Sequence, residues 1–243
     1  PEISAKYRHL VCVAGLTDKG EWRRIYPIPW EAFWKTQATR FKKKQRIEYE
    51  LESNAPSDHR PESRKIKWET IRVGEEAAYE DVIALLEPRV TAIEALESNG
   101  PKIQSLGAVR PVQVINFVAM DNEHYAKQVA KQAQQTLGGE SAVKIDVPAY
   151  KYQYVFKDDL NGREHRILCE DWEVGELYRH CENYRKQGKY KDENEVHFKV
   201  REKMLNVIRD KPNCYFIAGT HSIYPTYLIV GVIYPKKADT PKP

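Results

Sequence analysis

The sequence predicts an α+β protein that is rich in β-strands and contains two small β-barrels with helical insertions. Two observations predict this class. Short apolar segments with period-two alternation recur in both halves of the chain, separated by turn signals or by helical segments. The second half also follows the order strand, strand, two helices, strand, strand, with a further strand before it. That order matches a five-stranded barrel with a helical insertion.

The first half begins with a predicted β-hairpin. Residues 9–15 form a buried strand, Asp18-Lys19-Gly20 supplies a turn, and residues 21–26 form the returning strand. Pro27 and Pro29 are expected to end the pairing, because proline cannot donate to the ladder. Two alternating segments, 46–52 and 65–73, add half-buried strands.

The middle of the chain is predicted to be mostly helical. Helices are expected over residues 79–86 and 89–97, and a long apolar strand over 109–120, near whose start lies Pro111. Residues 122–137 have helical composition with a weak apolar face.

The second half supplies the clearest pattern. Asn161-Gly162 is a strong hairpin signal between two apolar segments. Two apolar stripes at three- and four-residue spacing then predict two helices. The expected strands of this half are residues 150–156, 163–170, 214–218 and 227–234.

These elements predict a division into two units and a tail. We expect one barrel with a helical insertion in residues 1–110 and a second barrel with a two-helix insertion in 111–235. Residues 236–243 are expected to be disordered, because terminal segments rich in proline and charge are seldom fixed.

Composition excludes several classes of protein. The 243 residues are 41% hydrophobic and 30% charged, which is typical of a folded domain rather than a disordered chain. No apolar segment is long enough for a membrane helix, so no membrane partner is expected. The four cysteines have irregular spacing and contain no Cys-x-x-Cys pair, so neither a disulfide framework nor a zinc site is predicted, and a cytoplasmic location is expected.

Charge and aromatic content suit a polyanionic ligand, and for the charge a solvated lysine-rich face is an equal alternative. The net charge is +4, but residues 1–75 hold 16 basic and 11 acidic side chains, a balance of +5. The aromatic residues are 15 Tyr and 5 Trp against 6 Phe. Rings with a polar group suit a half-wet stacking surface, although they also serve in ordinary strand packing.

The most informative segment lies on the second predicted strand. Trp22, Arg24 and Tyr26 share one face of that strand, and Arg23 lies on the other. A face of ring, guanidinium and ring suits stacking on unpaired bases and pairing with phosphate. A core strand with one arginine at its edge is the alternative. Arg60 and Arg64, in a loop stiffened by proline, suit phosphate clamping, and a simple exposed connection is equally compatible.

A second candidate segment connects the last two strands. Gly219-Thr220-His221 can present a hydroxyl group, an imidazole and backbone donors to a ligand, and Tyr224 and Tyr227 add rings beside it. The segment can also be a structural link between the two strands without a role in ligand binding.

A catalytic alternative uses the acidic residues that follow the seventh predicted strand. His165, Glu170, Asp171 and His221 could form a nuclease or nucleotide hydrolase with magnesium, the one cofactor that this alternative requires. Asp171, however, precedes the apolar stripe of a helix by three residues, where it is the natural N-cap. The sequence therefore favours a binding protein over an enzyme, without a metal or other cofactor.

The motifs together resemble a known group of proteins. The chain resembles the poorly characterised prokaryotic dual OB-domain-containing proteins in five segments: Val11-Cys12-Val13-Ala14-Gly15, Gly20-Glu21-Trp22-Arg23-Arg24-Ile25-Tyr26-Pro27-Ile28-Pro29, Arg60-Pro61-Glu62-Ser63, Cys169-Glu170-Asp171-Trp172-Glu173 and Gly219-Thr220-His221. The resemblance implies two OB-like β-barrels and nucleic-acid binding, and it brings no known reaction.

The expected function is therefore binding of single-stranded RNA or DNA, or of a nucleotide-like ligand, by aromatic stacking and arginine–phosphate contacts. The metal-dependent nuclease and a protein-interaction scaffold with a protein partner are the alternatives. The predicted contact residues are Trp22, Arg23, Arg24, Tyr26, Arg60, Arg64, Thr220 and His221.

Overall fold

The structure is a computed structural model that describes residues 10–29, 40–126, 148–208, 213–221 and 224–235. The predicted tail and most of the helix predicted over residues 122–137 lie outside these ranges. No helix among the described residues has the length and apolar character to cross a membrane.

A four-stranded sheet forms in the first part of the chain. Its strands are β1 (Leu10–Leu16), β2 (Trp22–Pro29), β3 (Gln45–Leu51) and β4 (Ser63–Glu76). The order across the sheet is β1-β2-β4-β3, and β2 and β4 are parallel while the other pairs are antiparallel.

A six-stranded sheet forms in the second part. Its strands are β5 (Leu106–Val109), β6 (Gln113–Asp121), β7 (Tyr150–Lys157), β8 (His165–Cys169), β9 (Tyr215–Thr220) and β10 (Tyr227–Ile233). The order is β5-β9-β10-β8-β7-β6, and β8 and β10 are parallel.

The described helices lie between strands. They are α1 (Tyr79–Leu86), α2 (Ile93–Asn99), α3 (Trp172–Lys186) and α4 (Glu193–Asn206), with a 3-10 turn at Glu87–Arg89. The apolar stripes of α3 and α4, which include Val174 and Val200, pack with Tyr154 and Phe216 of the second sheet in the main hydrophobic core.

The two sheets share one order of strands. In the first sheet β1 and β2 form an antiparallel hairpin, β2 lies parallel to β4, and β4 is antiparallel to β3. The strands β7-β8-β10-β9 of the second sheet have the same sequence of antiparallel, parallel and antiparallel pairs. Each parallel step requires a crossover, which in the second sheet includes α3 and α4.

The predicted fold class is confirmed at the level of a strand-rich α+β chain with two β units. The barrels themselves are not closed: the hydrogen-bonded ladder of neither sheet returns to its first strand within the described residues. In the second sheet, the strand predicted over 109–120 is interrupted between Val109 and Gln113, where Pro111 has no N–H to donate. Its two parts, β5 and β6, lie at opposite edges of the sheet.

The predicted division at residue 110 stays a prediction. The structure shows that β5, which precedes that position, is hydrogen-bonded along its length to β9 of the second sheet.

The expectation that Pro27 ends the β1–β2 pairing was wrong. β2 continues to Pro29, which pairs with Leu10. The register shifts between the Val11 and Val13 pairs, so one extra residue of β2 is accommodated around Pro27 and the missing N–H breaks no regular pair.

The first sheet packs against the second sheet through apolar side chains. A hydrophobic cluster that includes Ala108, Tyr215 and Ile217 of the second sheet is packed by Leu16 and Trp22 of the first. The two sheets therefore share an apolar contact, and the polar residues beside this contact are the ones that the sequence motifs contain.

Candidate functional site

Four buried polar residues from distant parts of the chain meet where the two sheets touch, and we call them the polar junction: Arg24, Glu62, Ser105 and Thr220. Arg24 Nη2 donates to the main-chain oxygen of Ser105 at 3.2 Å, and the Thr220 amide donates to the same oxygen at 3.1 Å. Glu62 Oε1 accepts from the Ser105 amide at 2.8 Å, and Oε2 accepts from its hydroxyl at 2.6 Å. Ser105 is thus held by both sheets.

The glycine of the Gly-Thr-His motif makes room for this arrangement. A Cβ placed on Gly219 would lie 3.3 Å from Arg24 Nη2 and 3.0 Å from a methyl group of Leu106. Real Cβ atoms seldom come this close, so the absence of a side chain at 219 lets the guanidinium approach β9.

Arg60 fixes a loop of the first unit to β9. Its Nη1 donates to the main-chain oxygen of Thr220 at 3.1 Å, and its Nε and Nη2 face the carboxylate of Asp58. Burial alone would raise the pKa of Asp58, but the hydrogen bonds and charge of Arg60 outweigh it and lower the pKa. Arg60 is 7% exposed, whereas the side chain of Asp58 is 31% exposed, so the pair is buried on the arginine side and open to water on the aspartate side.

Two polar atoms of the polar junction are buried without a hydrogen-bond partner in the described part of the chain: Arg24 Nε and Thr220 Oγ1. A buried polar atom without a partner costs about 1–3 kcal/mol. The junction therefore leaves part of its buried hydrogen-bonding capacity unused.

Of the predicted face formed by Trp22, Arg24 and Tyr26, the first two side chains contact the second sheet. Trp22 packs against the apolar cluster between the sheets, and Arg24 bonds to Ser105; Tyr26 is half-buried. These side chains have partners within the chain, and their contact with nucleic acid stays a prediction.

Arg23 and Arg64 lie on the other face, close to Tyr49. Burial raises the pKa of Tyr49, and the positive charges of Arg23 and Arg64 act in the opposite direction. Arg23 Nη2 pairs with Glu21 at 2.6 Å, while Arg64 Nη1 donates to the main-chain oxygens of Pro61 and Ser63. Both are half-buried and belong to the two central strands of the first sheet, Arg23 to β2 and Arg64 to the start of β4.

The connection between β9 and β10 carries a pair of rings, of which Tyr224 is exposed and His221 is half-buried. The centroids of His221 and Tyr224 lie 5.7 Å apart, and Tyr224 is 64% exposed. Tyr227 is instead buried, and its hydroxyl donates to the main-chain oxygen of Leu96 at 3.0 Å. Of the two tyrosines beside the Gly-Thr-His motif, only Tyr224 has a free face for a ligand.

Asp171 occupies the position that its sequence predicts for a helix cap. Its Oδ1 accepts from the Glu173 amide at 2.9 Å at the start of α3. Its Oδ2 accepts from Lys43 Nζ at 2.8 Å and from the Val232 amide at 2.6 Å. Burial alone would lower the pKa of Lys43, but the charges of Asp171 and Glu173 outweigh it and raise the pKa.

The residues of the catalytic alternative are not gathered at one place. Glu170 pairs with Lys151 at 3.4 Å, whereas His165 bonds to Asp158 through Nε2 at 2.9 Å. His165 and Cys169 are the two ends of β8, which separates them by about 13 Å at the rise of a strand. His221 lies beyond the end of β9.

Residues 40–46 contain a cluster of five basic side chains, at least three of which are paired with carboxylates. Besides the contact of Lys43 with Asp171, Lys44 lies 3.3 Å from Glu76 and Arg46 lies 3.3 Å from Asp18. The charge that the sequence assigns to this cluster is therefore partly neutralised within the protein.

Sequence reasoning missed two members of the polar junction. Glu62 lies inside the Arg-Pro-Glu-Ser motif but was read as part of an exposed loop, and Ser105 lies in a segment without any signal. The contacts of Ser105 join residues 43 and 81 positions apart in the chain, a separation that local patterns do not encode.

Comparisons with known proteins give two family matches. Residues 87–243 match a family model described as Domain of unknown function (DUF8757), and residues 1–87 match one described as Domain of unknown function (DUF8758). No curated protein and no solved structure matches the chain. The two descriptions name neither a fold nor a ligand, so the resemblance to dual OB-domain proteins stays a prediction.

Proposed function

We propose that this chain, which belongs to the family described as Domain of unknown function (DUF8757), binds single-stranded nucleic acid or a nucleotide-like ligand. The ligand would lie along the connection between β9 and β10, with His221 and Tyr224, and would reach Arg64 at the start of β4. The observation that carries the proposal is the contact between the rings of His221 and Tyr224, in which Tyr224 is 64% exposed.

The strand order supports an OB-like origin for both units. In the second sheet β6-β7-β8-β10-β9 has the order first, second, third, fifth, fourth, with the third and fifth strands parallel. β5 and β6 lie at opposite edges although only residues 110–112 separate them in the chain. One bent strand that borders both edges is what a small, partly open barrel of this kind requires.

OB-like units bind oligonucleotides with a specific part of their surface. The face of the second and third strands and the loops after the first and fourth strands make the contacts. In the second unit the loop after the fourth strand is the connection that carries His221 and Tyr224. The proposed site is therefore the place where such a barrel takes its ligand.

The side chains of this proposed site suit a base and a phosphate. A ring that is 64% exposed, like Tyr224, offers a face on which a base can stack. Arg60 connects this loop with Arg64: it donates to Thr220, and Arg64 donates to the main-chain oxygen of Pro61 next to Arg60. The Arg64 guanidinium is of a kind that pairs with phosphate groups, and we propose that it holds the phosphate of the stacked nucleotide.

The test is a salt-titrated binding assay of the full chain with labelled single-stranded RNA, single-stranded DNA and duplex. We expect affinity for a single strand that falls steeply between about 50 and 200 mM salt, because phosphate contacts release counterions. Tyr224→Ala should weaken binding about tenfold, since stacking contributes about 1–3 kcal/mol per base. Arg64→Ala should also reduce the salt dependence.

Matched controls separate this site from general attraction. Phe198→Ala removes a ring that is 53% exposed on α4, and Lys186→Ala removes a charge at the end of α3. Both should bind as the unmodified chain does. Equal losses in Tyr224→Ala and Phe198→Ala, or an affinity that does not depend on salt, would contradict the proposal and favour the scaffold. Metal-dependent cleavage of the labelled strand would favour the nuclease.

A further inference from the structure

Three side chains with metal-ligating atoms meet between α2 and the β7–β8 hairpin. Glu94 lies in the first turn of α2, Asp158 follows β7 directly, and His165 begins β8. Their ligand atoms all lie within 4.8 Å of one another. His165 Nε2 is 2.9 Å from Asp158 Oδ1 and 3.5 Å from Glu94 Oε1.

The burial of this cluster is uneven. The side chains of His165 and Asp158 are 2% and 4% exposed, whereas that of Glu94 is 47% exposed. Nε2 of His165 can carry one proton and therefore makes one strong hydrogen bond, yet two carboxylates face it. A cation held by all three groups satisfies the imidazole and both acids at once.

The separations fit a coordination sphere without movement of the backbone. Ligands about 2.1 Å from a metal ion lie about 3.0 Å apart at adjacent octahedral positions and about 3.4 Å apart at tetrahedral positions. The two separations from His165 Nε2, 2.9 and 3.5 Å, bracket these values. Two of the three separations are thus those of neighbouring ligands of one ion, and the third, between Glu94 and Asp158, lies within 4.8 Å.

Contacts around the cluster orient the ligands. Asp158 Oδ2 accepts from the Ile93 amide at 2.8 Å, which leaves Oδ1 directed at His165. The ring of Phe156 lies 5.3 Å from that of His165 and limits its rotation. Supporting contacts of this kind are typical of metal sites, in which they fix the orientation of the ligands.

One cation of the chain competes for Glu94. Arg163 Nε lies 3.0 Å from Glu94 Oε1, and Arg163 also pairs with Glu97. The side chain of Arg163 is 55% exposed, so it can leave Glu94 and keep Glu97 as its partner. This competition makes Glu94 the weakest of the three ligands.

We infer that Glu94, Asp158 and His165 bind one divalent transition-metal ion, Zn²⁺ or Mn²⁺. An imidazole with two carboxylates suits these ions, whereas Mg²⁺ and Ca²⁺ prefer sites made only of oxygen atoms. Three protein ligands leave at least one coordination position for water or a ligand oxygen, on the side of the exposed Glu94. The site is separate from the proposed nucleic-acid contacts and does not depend on them.

The test uses the full chain after treatment with a chelator. Zn²⁺ is titrated in competition with a chromogenic chelator, and Mn²⁺ binding is followed by electron paramagnetic resonance. We expect one ion per chain, no displacement by equimolar Mg²⁺, and a loss of about 100-fold in affinity for His165→Gln. Glu94→Gln should lose about tenfold, because its carboxylate is shared with Arg163.

Two further variants make the outcome decisive. His180→Gln changes an exposed histidine on α3 and should bind the ions as the unmodified chain does. Should His165→Gln not fold, as judged by circular dichroism, Glu94→Gln decides, because its side chain is exposed. Absence of stoichiometric binding of both ions, or equal binding by Glu94→Gln, His165→Gln and His180→Gln, would overturn the inference.

Discussion

Arg24 in β2 donates from Nη2 to the main-chain oxygen of Ser105, 81 residues further along the chain, at 3.2 Å. The contact joins the two sheets across a buried interface, and Ser105 is held from its other side by Glu62. The arginine that the sequence assigns to a ligand-facing strand thus has a structural partner. Hydrogen bonds that involve a buried charged group are among the strongest in proteins. Mutation of Arg24 therefore tests how much this contact stabilises the fold.

Arg24→Ala should destabilise the protein by about 2–3 kcal/mol, because it removes charged hydrogen bonds at a buried position. Arg23→Ala is the matched control: its guanidinium pairs with the exposed Glu21, and such pairs contribute less than about 1 kcal/mol. Urea unfolding followed by tryptophan fluorescence measures both. Equal midpoints for the two variants would show that the Arg24–Ser105 contact does not hold the sheets together.

Ser105→Ala should lower the free energy of unfolding by about 1–2 kcal/mol, since the buried Glu62 loses a hydroxyl donor at 2.6 Å. Ser53→Ala, at an exposed position in the loop after β3, should change stability little. The same unfolding assay compares them. A cost for Ser53→Ala as large as that for Ser105→Ala would argue against a special role of the polar junction.

Asp171→Ala should cost about 3 kcal/mol or more, because it removes the α3 cap, the Lys43 partner and the acceptor of the Val232 amide together. Asp192→Ala removes only the cap of α4, for which about 1 kcal/mol is expected. Thermal unfolding of both variants checks the difference. If Asp171→Ala loses nucleic-acid cleavage, the activity of the nuclease alternative, that loss would then report unfolding rather than a catalytic role of Asp171.

The Asp58–Arg60 pair should make the protein sensitive to acid. Arg60 lowers the pKa of Asp58 in the folded state below its ordinary value of 3.8, so the pair stabilises the fold above that pH. The stabilisation should be lost as the pH falls below 3.8 through the lower folded value.

Unfolding free energies of the unmodified chain and of Asp58→Asn therefore should differ at neutral pH and converge in acid. Asp18→Asn, at a carboxylate that is almost fully exposed, serves as control and should show no such convergence. A difference for Asp58→Asn that stays constant from neutral pH to acid would refute the role of the pair.

Much of the fold follows from local patterns in the sequence. The period-two alternation of β3, the Asn161-Gly162 turn and the apolar stripe of α3 identify elements that the structure contains. Asp171 was placed correctly as an N-cap, because a cap is defined by the few residues that follow it. Pro27 misled, because a bulge in the β1–β2 ladder removes the need for its N–H. The strand predicted over 109–120 is divided at Pro111 into β5 and β6.

The candidate site was predicted residue by residue but not as an arrangement. The sequence singled out Arg24, Arg60 and Thr220 because arginines near rings and loop hydroxyls suit a ligand, and it could not show that they meet Ser105. The side on which Trp22 and Arg24 lie follows from strand alternation. Whether this side of β2 faces a ligand or the rest of the protein depends on how the second sheet packs against the first.

The sequence by itself determined which segments become strands and helices, and which residues carry the charge and the rings. Tertiary structure alone decided that Arg24 and Arg60 are buried, that Tyr224 is exposed while Tyr227 is not, and that Glu94 meets Asp158 and His165. The physical reason is the range of the interactions. Propensity, capping and alternation act over a few residues, whereas burial and the meeting of charges depend on contacts between residues 40 to 160 positions apart.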